Sequence, residues 1–233
     1  MIAAALRAVL LIGLAVADAG GAAPSGGGSA GSGGGQVSAA PAQAPPAPAG
    51  CQETLRDQGV DLRPWPLRPS RTRAGVVCEA PGGVSIRRGA AGIRYQPPAR
   101  LNCAFALRLS RFEAIAQEEA RALLRSPVRA IVQLGTYNCR NMAAYPDLVS
   151  EHSFANAIDI AELVLQNGRR VNVEHDWVPA DRPAGSSAAA FLRRLTRRLY
   201  DERVFSVVLT PSFDRHHRNH LHLDGAAYTL DGT

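Results

Sequence analysis

The sequence predicts an α+β domain with a small, mostly antiparallel sheet flanked by helices. Three observations predict it. Short apolar, β-branched runs recur between turn residues. Two longer stretches carry apolar residues at helical spacing. The strands come as neighbours in sequence rather than alternating regularly with helices, which favours hairpins over a doubly wound parallel sheet.

The chain of 233 residues opens on a segment unlike the rest. Arg7 is the only charge before an apolar run at residues 8–16, and Ala17-Asp18-Ala19 follows as a small-x-small cleavage pattern. Residues 1–19 are therefore expected to be a signal peptide, too short in its apolar part for a membrane span. Residues 20–50 are almost wholly Gly, Ser, Ala, Pro, Gln and Val, and are expected to form a disordered tether. The globular domain is expected over residues 51–233, long enough to bury a sizeable core.

Within it, residues 51–59 suit a short helix. Residues 64–100 carry six prolines and predict loops and short strands, one at Val84-Ser85-Ile86. Asn102 can cap a helix over residues 103–124, with Phe105, Leu109, Phe112, Ile115 and Ala116 on one stripe. Residues 128–134 form a strand ending at Gly135. Residues 155–164 form another. Asn167-Gly168 between two apolar runs predicts a hairpin with a type I′ turn. Residues 187–202 predict a helix with Phe191, Leu192, Leu195 and Leu199 inward and Arg outward. Residues 204–209 and 221–223 are the last strands.

The formal charge is +6, and all 26 basic residues are Arg. A basic surface suits anionic partners without choosing among them. Cys51, Cys78, Cys103 and Cys139 follow the export segment, and an even count there argues for disulfides. Four cysteines allow three connectivities. The expected pairing is Cys51–Cys78 with Cys103–Cys139, the first closing the N-terminal arm. No Cys-x-x-Cys pair is present, so zinc on cysteine is disfavoured.

The chemistry lies in two histidine-bearing stretches. His152 is followed seven positions later by Asp159, an acid set among Ala157, Ile158, Ile160 and Ala161. Such an acid is costly unless a cation or metal pairs with it. The second stretch is His216-His217-Arg218-Asn219-His220-Leu221-His222-Leu223-Asp224. His220 and His222, two apart on a strand, point to one face. His152, Asp159 and the His220/His222 pair offer the nitrogen and oxygen donors that Zn2+ prefers, and a site with three protein ligands leaves a fourth position open, as in catalytic zinc sites.

Residues 150–160, SEHSFANAIDI, resemble the SxHxxxxAxD signature of the LAS zinc peptidases, which include D-Ala-D-Ala carboxypeptidases, the penicillin-insensitive murein endopeptidase and the hedgehog domain. With residues 135–140 and 217–224, the stretch also resembles the bacterial extensin-like C-terminal domain family, and the likeness runs from about residue 51 to the end. The resemblance implies a hedgehog- or DD-peptidase-like zinc site with His152, Asp159 and His222 as ligands. It implies His220, with His217, as the proton-handling residues, and Arg140 as the group that meets a substrate carboxylate or oxyanion. Two departures stand out. The Gly usual between the first His and the Asp is Ala155 or Asn156 here, and the carboxylate base of the carboxypeptidases has no counterpart, Asn219 occupying its neighbourhood.

Asp224 is expected to orient a ligand His or cap a turn. Glu151 reads equally as a partner fixing a His tautomer or as a solvent-facing charge. His216 is expected to be a surface residue, and Trp177, after Glu174, His175 and Asp176, a structural residue at the core edge. The expected protein is a periplasmic or secreted Zn2+ peptidase acting on peptidoglycan peptides, with no nucleic-acid partner and no membrane span after processing. The rival expectation is a zinc-containing wall- or protein-binding module without catalysis.

Overall fold

A computed structural model describes residues 43–143 and 145–233. The expected signal peptide and most of the expected tether fall outside them. The tether's last residues are placed. Ala47 lies against Gly82, where an added Cβ would meet Ala47 Cβ at 2.9 Å. The globular unit therefore begins slightly before Cys51.

The elements follow the chain as α1 (Cys51–Asp57), β1 (Asp61–Pro64), β2 (Ser70–Arg71), β3 (Val77–Cys78), β4 (Val84–Arg88), β5 (Arg94–Leu101), α2 (Cys103–Glu119), β6 (Val128–Gly135), β7 (Ala157–Leu165), β8 (Arg170–Asn172), α3 (Val173–Asp176), α4 (Ser187–Asp201), β9 (Val207–Leu209), β10 (Leu221–Asp224) and β11 (Leu230–Gly232). Among the described residues nine strands form one sheet in the order β1-β4-β5-β6-β7-β10-β9-β11, with β8 also on β7. β5–β6 and β9–β11 are parallel and the other pairings antiparallel. The expected α+β architecture with a mostly antiparallel sheet is what the chain forms. β2 and β3 make a separate two-stranded ribbon.

α2 starts where Asn102 Oδ1 accepts the Phe105 N–H at 2.8 Å, which satisfies an otherwise orphaned donor. It runs to Glu119 and then loosens into a π-helical turn, Ala120–Leu124, ending on Arg125 in the left-handed region. α4 is capped in the same way by Ser186, which accepts the Ala189 N–H. The inner faces of both helices pack on one face of the sheet. Phe105 and Phe112 meet Phe205 at ring separations of 5.3 and 6.1 Å, and Phe191, Ile131, Ile158, Ile160, Leu163, Leu221 and Leu223 complete the buried layer. Strand alternation sends Asp159 on β7 and His222 on β10 to the opposite face.

Three expectations need correction. The hairpin loop after β7 is not type I′. Only Gly168 has positive φ, at 90°, and Asn167 does not. Gly168 N–H bonds Leu165 O and Leu165 N–H bonds Arg169 O, the pattern of a type I turn followed by a left-handed glycine. The run with Pro97 and Pro98 is a strand of eight residues rather than loops. It is tolerated because β5 pairs with β6 only as far as Gln96↔Val132, and with β4 at Arg94 and again from Ala99, so the prolines' missing N–H groups fall outside both ladders. The disulfides are Cys51–Cys103 and Cys78–Cys139, not the expected pairs. α1 packs on α2, which brings Cys51 to the first residue of α2, and the β2–β3 ribbon brings Cys78 to the segment after β6.

Candidate metal centre

β7 and β10 pair antiparallel with Asp159 opposite His222. His152 comes from elsewhere. It lies in a short 3-10 helix, Glu151–Phe154, ahead of β7. That turn is fastened to its surroundings. Asn102 Nδ2 donates to Phe154 O at 2.9 Å and Asn102 N–H to Ala155 O at 2.9 Å. The buried Ser153 hydroxyl accepts from Arg140 N–H at 2.9 Å and lies 2.8 Å from Arg140 O. Ala155 ends the turn at φ 49°, a left-handed conformation that costs an alanine roughly 1–2 kcal/mol and a glycine little.

His152, Asp159 and His222 each offer one ligand atom, and these atoms lie within 4.8 Å of one another. His152 Nε2 is 3.3 Å from His222 Nδ1 and 3.3 Å from Asp159 Oδ2, and His222 Nδ1 is 2.9 Å from Asp159 Oδ1. Donors bound to one tetrahedral zinc sit roughly 3.3–3.5 Å apart, given the usual bond lengths. The His152–His222 and His152–Asp159 contacts meet that figure, and the shorter His222–Asp159 contact uses the other carboxylate oxygen; two imidazoles and a carboxylate are donor types that suit zinc. The side chains are 4%, 17% and 12% exposed respectively, so the cluster is largely buried, with Asp159 and His222 partly accessible.

Asp224, 3% exposed, holds the far edge of His222. Its Oδ2 lies 2.9 Å from His222 Nε2, and its Oδ1 accepts the Ala226 N–H at 3.0 Å. This fixes which ring nitrogen faces Asp159. Burial raises the Asp159 carboxyl, but charge and hydrogen bonds from His152 and His222 outweigh it and hold it well below the usual range. Burial disfavours the His222 cation, yet hydrogen bonds to Asp159 and Asp224 lift its pKa to about 10.

His220 stands one residue before β10. Its Nε2 is 3.5 Å from Asp159 Oδ1 and its Nδ1 is 2.9 Å from Asn219 Oδ1. Burial lowers its pKa to about 4, more than the Asp159 charge raises it, so the ring is neutral near pH 7. His217 meets the His220 ring at a tilt and the His222 ring edge-on, at ring separations of 5.3 and 5.7 Å. Its Nδ1 is 2.7 Å from Asp214 Oδ1. Asp214 was not anticipated. Its signal was present in the Asp-x-x-His spacing ahead of the histidine cluster, and the same oxygen accepts the His216 and His217 N–H groups.

The remaining candidates separate. The Arg140 guanidinium donates to Asn141 O and makes no bond to the three ligand candidates among the described residues. Glu151 is bonded by Asn156 Nδ2 at 2.6 Å rather than by a histidine, and burial raises its pKa. His216 is exposed. Trp177 packs on the core edge and donates its indole N–H to Ser212 Oγ. Among the described residues no helix is long and apolar enough to cross a membrane.

The family described as extensin-like protein C-terminus matches residues 49–232. No curated protein and no solved structure matches the chain.

Proposed function

The chain belongs to the extensin-like protein C-terminus family, and from that premise we propose that it is an exported zinc-dependent peptidase acting on peptide bonds of cell-wall peptidoglycan. The observation that carries the reading is the gathering of one ligand atom each from His152, Asp159 and His222 within 4.8 Å of one another. The likeness of residues 150–160 to the LAS signature supports the peptidase class. The two disulfides support an oxidising compartment, periplasmic or extracellular.

Zinc held there supplies Lewis acidity and brings the acidity of water near neutral pH. The chain's own residues divide the rest. His220, neutral and beside Asp159, is placed to take or give a proton. His217, fixed by Asp214, stands behind it with its ring orientation set. Asp224 fixes the His222 ring. Arg140, on the segment bonded to Ser153, is the candidate for an anionic substrate group suggested by the resemblance.

Purified protein is expected to hold one zinc per chain and to release peptide fragments from isolated sacculi, read by mass spectrometry of muropeptides. Intact sacculi after incubation with the zinc-loaded protein would reject the enzymatic reading. One observation favours the rival, a zinc-stabilised binding module. His220 Nδ1 meets the neutral Asn219 amide instead of a carboxylate, which weakens it as a base. Wall binding that survives without cleavage, and falls on chelation, selects that alternative.

A further inference from the structure

The parallel ladder between β5 and β6 runs Arg94↔Ala130, Tyr95↔Ile131 and Gln96↔Val132, and stops at Pro97. Beyond it the strands are bridged only by side chains. Gln133 Nε2 donates to Pro97 O at 3.1 Å, and Arg100 N–H donates to Thr136 Oγ1 at 3.1 Å. A cavity of about 330 Å³ lies here, at the lower end of the range for small-ligand sites. It borders the metal centre. Gly135 lines it and pairs with Asp159 in the β6–β7 register, and a Cβ on Gly135 would lie 3.9 Å from Asp159 Oδ2.

Its lining has a definite chemistry. Pro97, Pro98 and the exposed Leu134 give an apolar floor. Arg100 is the one charged residue of the lining, and no acid accompanies it. Its guanidinium carbon sits 5.9 Å from the centroid of Trp65, which itself meets Tyr137 edge-on at 5.4 Å. The guanidinium is thus positioned by an aromatic face. Among the described residues it has no ion-pair partner, whereas Arg87 and Arg170 each have one and Arg198 has three. A stacked, unpaired guanidinium presents its donor fork to a carboxylate. A second, independent feature points to a ligand. Gln133 is 5% exposed and lines the cavity, and its side-chain oxygen has no hydrogen-bond partner among the described residues. A peptide N–H supplies the donor it lacks.

We propose that this cavity seats an arm of a peptide substrate that carries a free carboxylate, with Arg100 as the anchor, the aliphatic part over Pro97, Pro98 and Leu134, and an amide N–H towards Gln133. The inference rests on the peptidase reading for the direction of the chain toward Asp159, and deepens it by naming an acidic peptide as the substrate class.

The test titrates the full chain with L-Ala-γ-D-Glu-meso-diaminopimelate and with the same peptide fully amidated, by calorimetry. Wild type should prefer the carboxylate form by about tenfold, the scale of one charge-assisted hydrogen-bonded contact. Arg100→Gln should erase the preference, and Arg100→Lys should restore part of it. Equal binding of the two peptides by wild type, absence of binding, or a preference that persists in Arg100→Gln overturns the proposal. The wild-type comparison needs no variant to fold. Mass spectrometry of the same samples reads cleavage separately, so intact peptide with the preference retained removes the peptidase reading and leaves the binding site standing.

Discussion

His222 stands directly across the β7–β10 ladder from Asp159, with its Nδ1 2.9 Å from Asp159 Oδ1 and its Nε2 2.9 Å from Asp224 Oδ2. One imidazole is therefore gripped on both edges by carboxylates, and the edge facing His152 is the edge a metal needs.

Loss of Asp224 should loosen that grip without removing a ligand. Asp224→Asn is expected to weaken zinc binding by about 10–100-fold, the usual cost of removing a partner that orients a ligand histidine. Asp159→Asn should cost more, because it removes a donor and leaves two histidines facing the ion. Competition with a zinc indicator measures both. Equal affinity of Asp224→Asn and wild type would mean that Asp224 only caps the turn at Ala226.

On the proposed reading, zinc and a proton compete for His222. Its pKa is raised to about 10 by Asp159 and Asp224 against the burial that lowers it, so near pH 7 the metal-free ring is protonated and a metal must displace that proton. Apparent zinc affinity should therefore climb as pH rises, by about tenfold per unit for one displaced proton. Measurements between pH 6 and 8 read this, and a flat profile contradicts the ion-paired arrangement.

His220→Ala should keep zinc and lose cleavage, since its ring lies at the edge of the ligand set. Asp214→Asn should also keep zinc, but should lower turnover less, about 10-fold, because His217 remains in place and only its orientation is released. Zinc content by elemental analysis and peptide release from sacculi separate the two effects. Unchanged turnover in both variants would move the proton-handling role elsewhere.

Glu113 is fully buried on α2, where it accepts the Ala91 N–H at 2.7 Å and the Tyr95 hydroxyl at 2.7 Å. Burial raises its pKa from 4.5 to about 7, against the lowering effect of those two hydrogen bonds. A carboxyl raised in the folded state binds its proton more tightly there. Its contribution is fully present below pH 4.5 and is lost as pH climbs through about 7. The full shift corresponds to roughly 3 kcal/mol. Glu113→Gln, whose amide can still meet both partners, should flatten the fall in stability between pH 5 and 8. Urea denaturation across that window checks it, and parallel curves for variant and wild type refute it.

Peptide mapping without reduction should find Cys51 with Cys103 and Cys78 with Cys139. Replacing Cys51 and Cys103 together by Ala opens a loop with a sequence separation of 52, and should cost about 4 kcal/mol on the chain-entropy estimate. Thermal unfolding reads the loss.

Much of the fold was legible because its signals are local. Asn102 caps α2 as its side chain requires, the inward residues of α4 follow from apolar spacing, and the β-branched run of β6 needs no long-range information. Local pattern misjudged β5, because whether a proline breaks a ladder depends on where the neighbouring strand stops. It also missed β11, which is three residues long and held only by a parallel partner. The hairpin loop went astray because Asn-Gly permits more than one turn, and the backbone of Asn167 decides between them.

Asp159 was readable in sequence because an acid within an apolar strand is costly unless a cation meets it, whereas His152 and His222 were singled out by the likeness of their stretches to a known signature. Their identities, the N-terminal cap residues and the alternation that puts Asp159 and His222 off the core face are properties of the chain alone. Tertiary structure decided which cysteines pair, that Asp214 stands behind His217, and that Arg100 rather than Arg140 lines the cavity beside the centre. Each of these is a distance between residues far apart in sequence or on separate loops, and such distances are set by how the helices and strands pack, which no local pattern of residues encodes.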